Sequence, residues 1–371
     1  MTPPPAAKKS VSASAPPATP PSAHNFDSIH GHDLIKRYLT SAMGSQALPH
    51  ALLFHGPRGV GKTSMAYALA KTLNCPNGGR GECACDVCRK ISTQVFSDLV
   101  VVEPKGAAGQ ITLAGWKPGR EEADTIPYYR FVDSRPLEGG RKILMLRQAD
   151  RMNTAMANHL LKLIEEPPSY LTLILVTHRP GDLLTTVRSR CAPLKFNPLE
   201  QSEMEEFARS QDLSSADSGT ANLLRLAEGR PGLLIDLISG DLATRRKATA
   251  SAMDLFQQHG FLMLFRAASE LGKSPTWGAG GEVFETTLQT LQAWVRDAIL
   301  LKVMPEGEAR KLMLNSDVME AVKTYAAQNE MPALLAAYDE LQNAFEYTAR
   351  QTDKAYVLET LLMRLGRLKQ N

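Results

Sequence analysis

The chain has 371 residues, of which 43% are hydrophobic and 22% are charged, and its formal net charge is +3. This composition is that of an ordinary globular protein, and the length exceeds a single compact core, so we expect two or three domains. A charge so close to balance gives no indication that the chain as a whole binds nucleic acid. Any contact with DNA would be local or shared with partners.

The first segment of the chain is rich in proline and alanine. Residues 1–23 contain seven prolines and almost no large apolar side chain, so they cannot offset their ordering entropy by burial, and we predict a disordered arm. No apolar stretch follows Lys8 and Lys9, which argues against a secretory signal. The longest clear apolar run, Leu171–Val176, is far shorter than the ~18 residues of a membrane span. We therefore expect a cytoplasmic protein without membrane association.

Short apolar runs alternate with helical patterns over residues 24–197. The runs are continuous, as is typical of strands covered on both faces, and they occupy residues 51–54, 99–103, 142–146 and 171–176. Helical patterns cover residues 62–74 and 153–165, and Pro167 follows the second of them. This alternation predicts an α/β domain with a parallel sheet and helices on both faces. Residues 106–125 are rich in glycine and fit no element; a surface excursion is the simplest interpretation.

The strand-like runs stop after Asn197 and Pro198. We predict a small helical domain over residues 198–245 and a longer all-helical domain over residues 246–371. The helix-like stretches of the second are 261–271, 284–303 and 331–368, with an interruption near Pro305. Core packing is the simplest explanation of their apolar faces.

A glycine-rich loop joins the first predicted strand to the first helix. It matches G-x-x-x-x-G-K-[ST] at every fixed position, in the strand–loop–helix context that phosphate binding requires. Lys62 would reach the β and γ phosphates, and Thr63 would supply a hydroxyl to Mg²⁺. The alternative, a corner that merely keeps its glycines, fits the full motif less well. The predicted contacts to ATP or ADP are Gly56, Pro57, Arg58, Gly59, Val60, Gly61, Lys62, Thr63 and Ser64.

The third predicted strand lacks the acids that nucleotide hydrolysis needs. In hydrolytic P-loop proteins a second apolar strand ends in carboxylates that order Mg²⁺ and the attacking water. Here residues 142–146 are followed by Arg147 and Gln148. Neither can coordinate Mg²⁺ as a carboxylate, and we expect Arg147 to add a positive charge where the metal would bind. Asp150 lies further on, where the register assigns it to the next turn. We therefore predict that intrinsic ATPase activity is absent or badly impaired.

Four of the five cysteines fall within fourteen residues. In a reducing compartment such clustering indicates a metal rather than disulfides. Gly78, Gly79 and Gly81 leave the first interval pliable, so four thiolates could surround a tetrahedral Zn²⁺, with the closely spaced second and third cysteines as the strained pair. Four free cysteines in one loop would be the alternative, and it is disfavoured by their density. The predicted ligands of this structural zinc are Cys75, Cys83, Cys85 and Cys88.

Several motifs together resemble the delta-prime and gamma/tau clamp-loader subunits of bacterial DNA polymerase III, which are AAA+ proteins. The matching residues are 32–56, 131–142, 149–153, 158–168 (NHLLKLIEEPP), 176–180 and 186–191 (TVRSRC). The resemblance covers roughly residues 25–200; beyond them it rests on the order of elements and on helical character. It implies a helical lid domain and a C-terminal collar domain. The implied partners are gamma/tau and delta subunits, the beta sliding clamp and, through the complex, primed DNA.

The resemblance also implies roles for individual residues. Arg190 would be an arginine finger that reaches a neighbouring subunit's ATP, and Thr177 would be the polar sensor-1 residue. A surface salt bridge and a plain strand-end threonine are their respective alternatives, while Cys191 is interpreted as a small packed residue. Gamma-type subunits place a sensor-2 arginine near the position of Gly232, and the family's cysteine spacing is one residue longer in each of the first two intervals.

These departures favour a non-hydrolysing subunit of the delta-prime type within a DNA polymerase holoenzyme. A hydrolytically active, gamma/tau-like ATPase is the alternative, and the Arg147–Gln148 pair discriminates between the two. A stand-alone binder of single-stranded DNA would need a basic strip with interleaved aromatic side chains, and the sequence contains none.

Overall fold

The computed structural model describes residues 26, 28–78, 83–104, 109–112, 128–213, 218–238, 282–315, 318–349, 356, 357, 360, 361 and 363–365. The predicted arm at 1–23, the helix-like stretch at 261–271, and most of the unplaced segment 106–125 lie outside the described residues. The same holds for Gly79 and Gly81 in the first cysteine interval.

A five-stranded parallel sheet organises the first half of the chain. Its spatial order is β2-β3-β4-β1-β5, which confirms the predicted parallel sheet. The four strands predicted from continuous apolar runs are present, with ends that shift by no more than one residue. The fifth was not predicted. The strands are β1 (Ala51–His55), β2 (Leu99–Val102), β3 (Lys142–Arg147), β4 (Leu171–Thr177) and β5 (Ala192–Lys195).

The unpredicted strand β5 lies at the edge of the sheet, beside β1. It is four residues long, contains Pro193, and alternates between half-buried and exposed side chains. Proline is tolerated on edge strands because one side of such a strand forms no ladder. An alternating four-residue segment therefore lacks the continuous apolar run by which the buried strands were recognised.

Helices cover both faces of the sheet. One core packs Leu39, Met65 and Leu69 against Phe54, and the other packs Leu160 and its neighbours against the opposite face. Short 3₁₀ turns at Ala149–Arg151 and Pro180–Asp182 follow β3 and β4. The helices are α1 (Asp33–Gly44), α2 (Lys62–Asn74), α3 (Asp86–Ser92), α4 (Tyr128–Asp133), α5 (Thr154–Glu165) and α6 (Thr185–Arg188).

Among the described residues after 198, all the regular elements are helices. The first three, α7 (Gln201–Ser210), α8 (Ser218–Ala227) and α9 (Pro231–Ile238), share a small core. The others share a second core that includes Trp294, Val322 and Leu341, and the interruption near Pro305 falls between the first two of them. They are α10 (Glu282–Val303), α11 (Glu306–Leu312), α12 (Met319–Gln328) and α13 (Met331–Ala349). None of the described helices is long and apolar enough to cross a membrane.

Candidate nucleotide and metal sites

The glycine-rich loop leaves the carboxyl end of β1 and enters α2. Gly56 begins it with φ 144°, and a Cβ at this position would lie 2.1 Å from the carbonyl oxygen of Phe196. Gly61 ends it with φ 99°, in the left-handed region. Glycine tolerates both the conformation and the close approach. The packing of the loop against the end of β5 is therefore by itself a reason for glycine at position 56.

The lysine of the loop is buried and contacts the loop's own carbonyl groups. Lys62 Nζ donates to the oxygens of Gly56 at 2.7 Å and Pro57 at 2.5 Å. Burial, and then the nearby charge of Arg58, lower the pKa of Lys62 to about 8, while Asp150 acts in the opposite direction. The ammonium group therefore lies inside the loop, where a phosphate would have to meet it.

At the end of β3, Arg147 forms an ion pair with an acid that follows the adjacent edge strand, β2. Its guanidinium forms an ion pair with Glu103, which follows β2. Strand β2 lies on the side of β3 opposite to β4 and β1. The guanidinium is thus directed away from the phosphate loop, which differs from our expectation that it would place a positive charge at the metal position. Positions 147 and 148 nevertheless carry no carboxylate, as the sequence shows.

Asp150 lies in the turn after β3, one residue after its start, and its side chain contacts the end of β4. Its buried side chain accepts a hydrogen bond of 2.5 Å from Thr177 Oγ1, and Nδ1 of His178 lies 3.8 Å from the same carboxylate. Thr177 Oγ1 in turn accepts from the backbone N–H of Arg179 at 3.0 Å. The threonine is therefore a buried bridge rather than a plain strand end. Gln148 allows this contact by its left-handed φ of 51°.

Two residues from outside the loop hold its outer carbonyl groups. His32 Nε2 lies 2.7 Å from the carbonyl oxygen of Val60. The backbone N–H of Gly232, in the first turn of α9, donates to the carbonyl of Gly59 at 2.7 Å. Sequence reasoning did not identify His32, because the contact joins residues 28 positions apart and no motif marks it.

Arg190 lies at the surface just before β5. Its side chain is 44% exposed, its Nε lies 2.8 Å from Glu165 Oε1, and one Nη donates to the carbonyl of Thr186 at 3.2 Å. The isolated chain thus shows the surface salt bridge that was the alternative interpretation. Cys191 is buried, and this burial raises the pKa of its thiol to about 11, in agreement with a packed residue.

The four clustered cysteines meet between the end of α2 and the start of α3. All four sulfur atoms lie within 4.8 Å of one another. Cys75 Sγ lies 3.6 Å from Cys83 Sγ and 3.7 Å from Cys85 Sγ. Tetrahedral zinc with bonds of ~2.3 Å separates its sulfur ligands by about 3.8 Å. The donor set therefore fits a structural zinc ion, despite the short interval between Cys83 and Cys85.

The surroundings of the cysteines are ordered by local hydrogen bonds. Cys85 caps α3, since its sulfur accepts from the backbone N–H of Cys88 at 3.4 Å. Asn77 donates to Cys83 Sγ at 3.3 Å, and hydrogen bonds led by this one lower the pKa of Cys83 to about 6. Cys75 and Cys88 are buried. A preformed arrangement of this kind reduces the ordering that a metal has to impose.

Comparison with known proteins agrees with this geometry. Residues 31–200 match the family described as DNA polymerase III, delta subunit. The matched segment, a little under half of the chain, is similar to that family. The resemblance to bacterial clamp-loader subunits that the motifs indicated is therefore confirmed. The family segment contains the loop, the cysteine cluster, the ends of β3 and β4, and Arg190.

Curated relatives extend beyond this segment. DNA polymerase III subunit delta' of Bacillus subtilis is 28% identical over 300 residues, which is 80% of this chain and 84% of the relative. The delta' subunit of Pseudomonas aeruginosa is 34% identical over 52% of this chain and 57% of its own length. Subunit tau/gamma of Haemophilus influenzae is 30% identical over 55% of this chain, but only 29% of that relative is covered.

Among solved structures, a DNA polymerase III gamma subunit-related protein from Thermotoga maritima matches 89% of this chain and 99% of its own, with 15% identity and a TM-score of 0.41. A TM-score below 0.5 does not establish a common arrangement of domains.

Proposed function

We propose that this chain is a delta-prime-type subunit of a bacterial DNA polymerase III clamp loader that binds ATP or ADP without hydrolysing it. The observation that carries the proposal is the contrast between two strand ends. An intact phosphate loop follows β1, whereas β3 ends in Arg147 and Gln148, with the guanidinium bound to Glu103. Binding and hydrolysis use different parts of a P-loop site, so one can persist without the other.

The share of the relative's own length that is matched supports the delta-prime type. The Bacillus subtilis delta' relative is covered over 84% of its length, whereas the gamma/tau relatives of Haemophilus influenzae and Mycobacterium bovis are covered over 29% and 61%. Gly232 at the start of α9 supplies no side chain where gamma-type subunits carry their sensor-2 arginine. We divide the chain accordingly into an AAA+ domain at 24–197, a helical lid at 198–245 and an oligomerising collar at 246–371.

In the assembled complex we assign Arg190 as the arginine finger that completes a neighbouring gamma-type ATPase site. The residue is exposed at the end of the family segment, and its only described acidic partner is Glu165 in a half-exposed pair. Exposed pairs contribute only ~0–1 kcal/mol, so a neighbour's triphosphate can displace Glu165 at little cost. The subunit would thereby help to load the beta sliding clamp onto primed DNA, together with the delta subunit.

The cysteine cluster is proposed to hold one structural zinc ion. A purified chain should contain about one zinc per molecule by inductively coupled plasma mass spectrometry. Cys88→Ser should lose the metal, and Cys191→Ser, which changes a cysteine outside the cluster, should keep it. A metal-free wild-type chain with normal stability would contradict the assignment.

Hydrolysis by the chain alone is the first test of the proposed function. We expect the purified full-length chain to bind a fluorescent ATP analogue and to release no phosphate above background. Turnover that disappears in Lys62→Ala would instead support the gamma/tau-like ATPase. Loss of the analogue's binding in wild type would reject the nucleotide-binding part of the proposal.

The complex provides the second test. The chain is co-expressed with gamma/tau and delta subunits, and the ATPase rate of the purified complex is compared between wild type, Arg190→Ala and Arg188→Ala. Removing an arginine finger slows hydrolysis at its site by about 10³-fold or more, so the complex should lose that site's share of the rate. Arg188 is a matched exposed control that bonds to the carbonyl of Pro180 and should have no effect. Equal rates for both variants would refute the finger.

A further inference from the structure

We propose that His32 is a positioning residue for the phosphate loop, and that it aims one of the backbone N–H groups that bind nucleotide. The inference rests on the proposed nucleotide binding and deepens it by adding a residue outside the loop motif. His32 is the residue before α1, and its ring reaches Val60, 28 positions along the chain, at 2.7 Å.

The argument begins with the planarity of the peptide group. In a trans peptide the C=O and the following N–H point in opposite directions. When the carbonyl of Val60 is held outward by His32, the N–H of Gly61 must point to the opposite, inner side of the loop. Backbone N–H groups at this position of a P-loop are the ones that contact phosphate. The histidine thus fixes a donor that it does not itself touch.

The preceding peptide is held in the same manner by the lid. Gly232 N–H donates to the carbonyl of Gly59 at 2.7 Å, which turns the N–H of Val60 inward. The approach is so close that a Cβ on Gly232 would lie 2.9 Å from the Cα of Gly59. Two consecutive peptides of the loop are therefore oriented by groups that come from different parts of the chain.

The backbone at His32 is unusual for a residue with a side chain. His32 has φ 58° and follows Gly31 at φ 66°, so two consecutive residues are left-handed. Such a conformation is uncommon and strained for residues other than glycine. A Cβ on Gly31 would lie 2.3 Å from Leu199 Cδ2. The turn therefore packs closely against Leu199, at the start of the helical segment, and it places the imidazole ring beside the loop.

The chemistry of the ring agrees with a donor role. A carbonyl oxygen only accepts, so Nε2 must carry the hydrogen. Burial lowers the pKa of His32, although the bond to Val60 and the charge of Glu203 on α7 oppose that shift; Lys36 on α1 and Lys62 on α2 lower it further. A neutral ring with hydrogen on Nε2 suffices for the contact. The edge of the ring also packs against Phe196, with centroids 4.8 Å apart.

The test titrates the full chain with a fluorescent ATP analogue. Loss of one oriented donor to a charged phosphate should weaken binding about tenfold in His32→Ala. His32→Gln, whose amide can donate to the same carbonyl, should restore affinity to within about threefold of wild type. The matched control is His30→Ala. His30 packs on Phe207 with centroids 5.4 Å apart, and its removal should leave affinity unchanged.

Hydrogen exchange of the peptides that cover residues 56–63, measured without nucleotide, gives a second readout. His32→Ala should speed exchange there, and His32→Gln should not. Unchanged affinity and exchange in His32→Ala would overturn the inference while leaving the proposed function intact. Equal loss in His32→Gln and His32→Ala would also overturn it, because a merely structural role explains that result. If wild type does not bind the analogue, or if Lys62→Ala binds it equally well, the proposed function fails first.

Discussion

The carboxyl ends of β1 and β3 lie at the same edge of one sheet, with only β4 between them. At the end of β1, every feature of a phosphate-binding loop is kept, down to the glycine that packs on Phe196. At the end of β3, the residues at the positions of the hydrolytic acids are Arg147 and Gln148. Two strand ends at one edge of the same sheet thus carry different sets of residues.

The end of β3 also carries two different charged contacts, one buried and one partly exposed. Asp150 at the β3 side is buried and bonded to Thr177, and it acts on the charge of Lys62 in the loop. The Arg147–Glu103 pair at the same strand end is partly exposed, and it faces away from the loop. A buried carboxylate therefore lies near the loop, although it is not at position 147 or 148.

The largest expected effect is at the β1 end. Lys62→Ala should weaken binding of an ATP analogue by ten- to a hundredfold, because hydrogen bonds to charged groups are worth about 1.5–3 kcal/mol. Fluorescence titration of the full chain measures it, with Lys162→Ala, which removes an exposed lysine of α5 outside the loop, as the control. If Lys62→Ala bound the analogue as well as wild type, the loop after β1 would have no role in nucleotide binding, and the contrast between the two strand ends would disappear.

The second expected effect is on pH. Lys62, with a pKa lowered to about 8, is protonated below that pH and loses its charge as the pH rises through it. Affinity for the nucleotide should therefore fall by about tenfold per pH unit above 8. Lys62→Arg keeps its charge throughout this range and should give a flat profile between pH 8 and 9. A wild-type profile as flat as that of the arginine variant would contradict the assigned role of the lysine.

A smaller effect is expected at Asp150. Replacing it by asparagine keeps an oxygen that can accept from Thr177 but removes the charge beside Lys62. We expect a loss of about 1 kcal/mol in the free energy of unfolding, measured by urea denaturation at pH 7. A loss near zero would mean that the buried carboxylate is no more important to the fold than the exposed pair.

The smallest effect is expected for that exposed pair. Glu103→Gln should change the free energy of unfolding by less than about 0.5 kcal/mol, since partly exposed ion pairs contribute little. The same urea denaturation, repeated at low and at high salt, provides the measurement. A loss larger than that of Asp150→Asn would reverse the ranking of the two contacts at the β3 end.

Much of this architecture could be predicted from the sequence. Strands β1 to β4 are continuous apolar runs, and the α5 helix is bounded by the cap of Asn153 and by Pro167. The phosphate loop and the cysteine cluster are local in sequence, so spacing alone identifies them. Strand β5 was not predicted because its side chains alternate between half-buried and exposed, so it contains no continuous apolar run.

Contacts between segments that are distant in sequence could not be predicted from the apolar periodicity or from local motifs. The hydrogen bond that Thr177 donates to Asp150 depends on a left-handed backbone at Gln148, which the sequence pattern did not predict. His32 and Gly232 meet the loop only because α1 and α9 approach it in three dimensions. The direction of the Arg147 side chain was likewise decided by the neighbouring Glu103 rather than by the strand register.

The close contact between Gly232 and Gly59 has a consequence for any attempt to rebuild an active ATPase on this chain. Residues 147 and 148 lie at the end of β3, away from this contact. An arginine at 232 is a different matter, since even its first carbon would collide with the loop backbone at 2.9 Å. The helical segment would have to withdraw before the side chain could enter. On the proposed function, an arginine at 232 would therefore require α9 and the loop to move apart locally, in addition to the substitutions at 147 and 148.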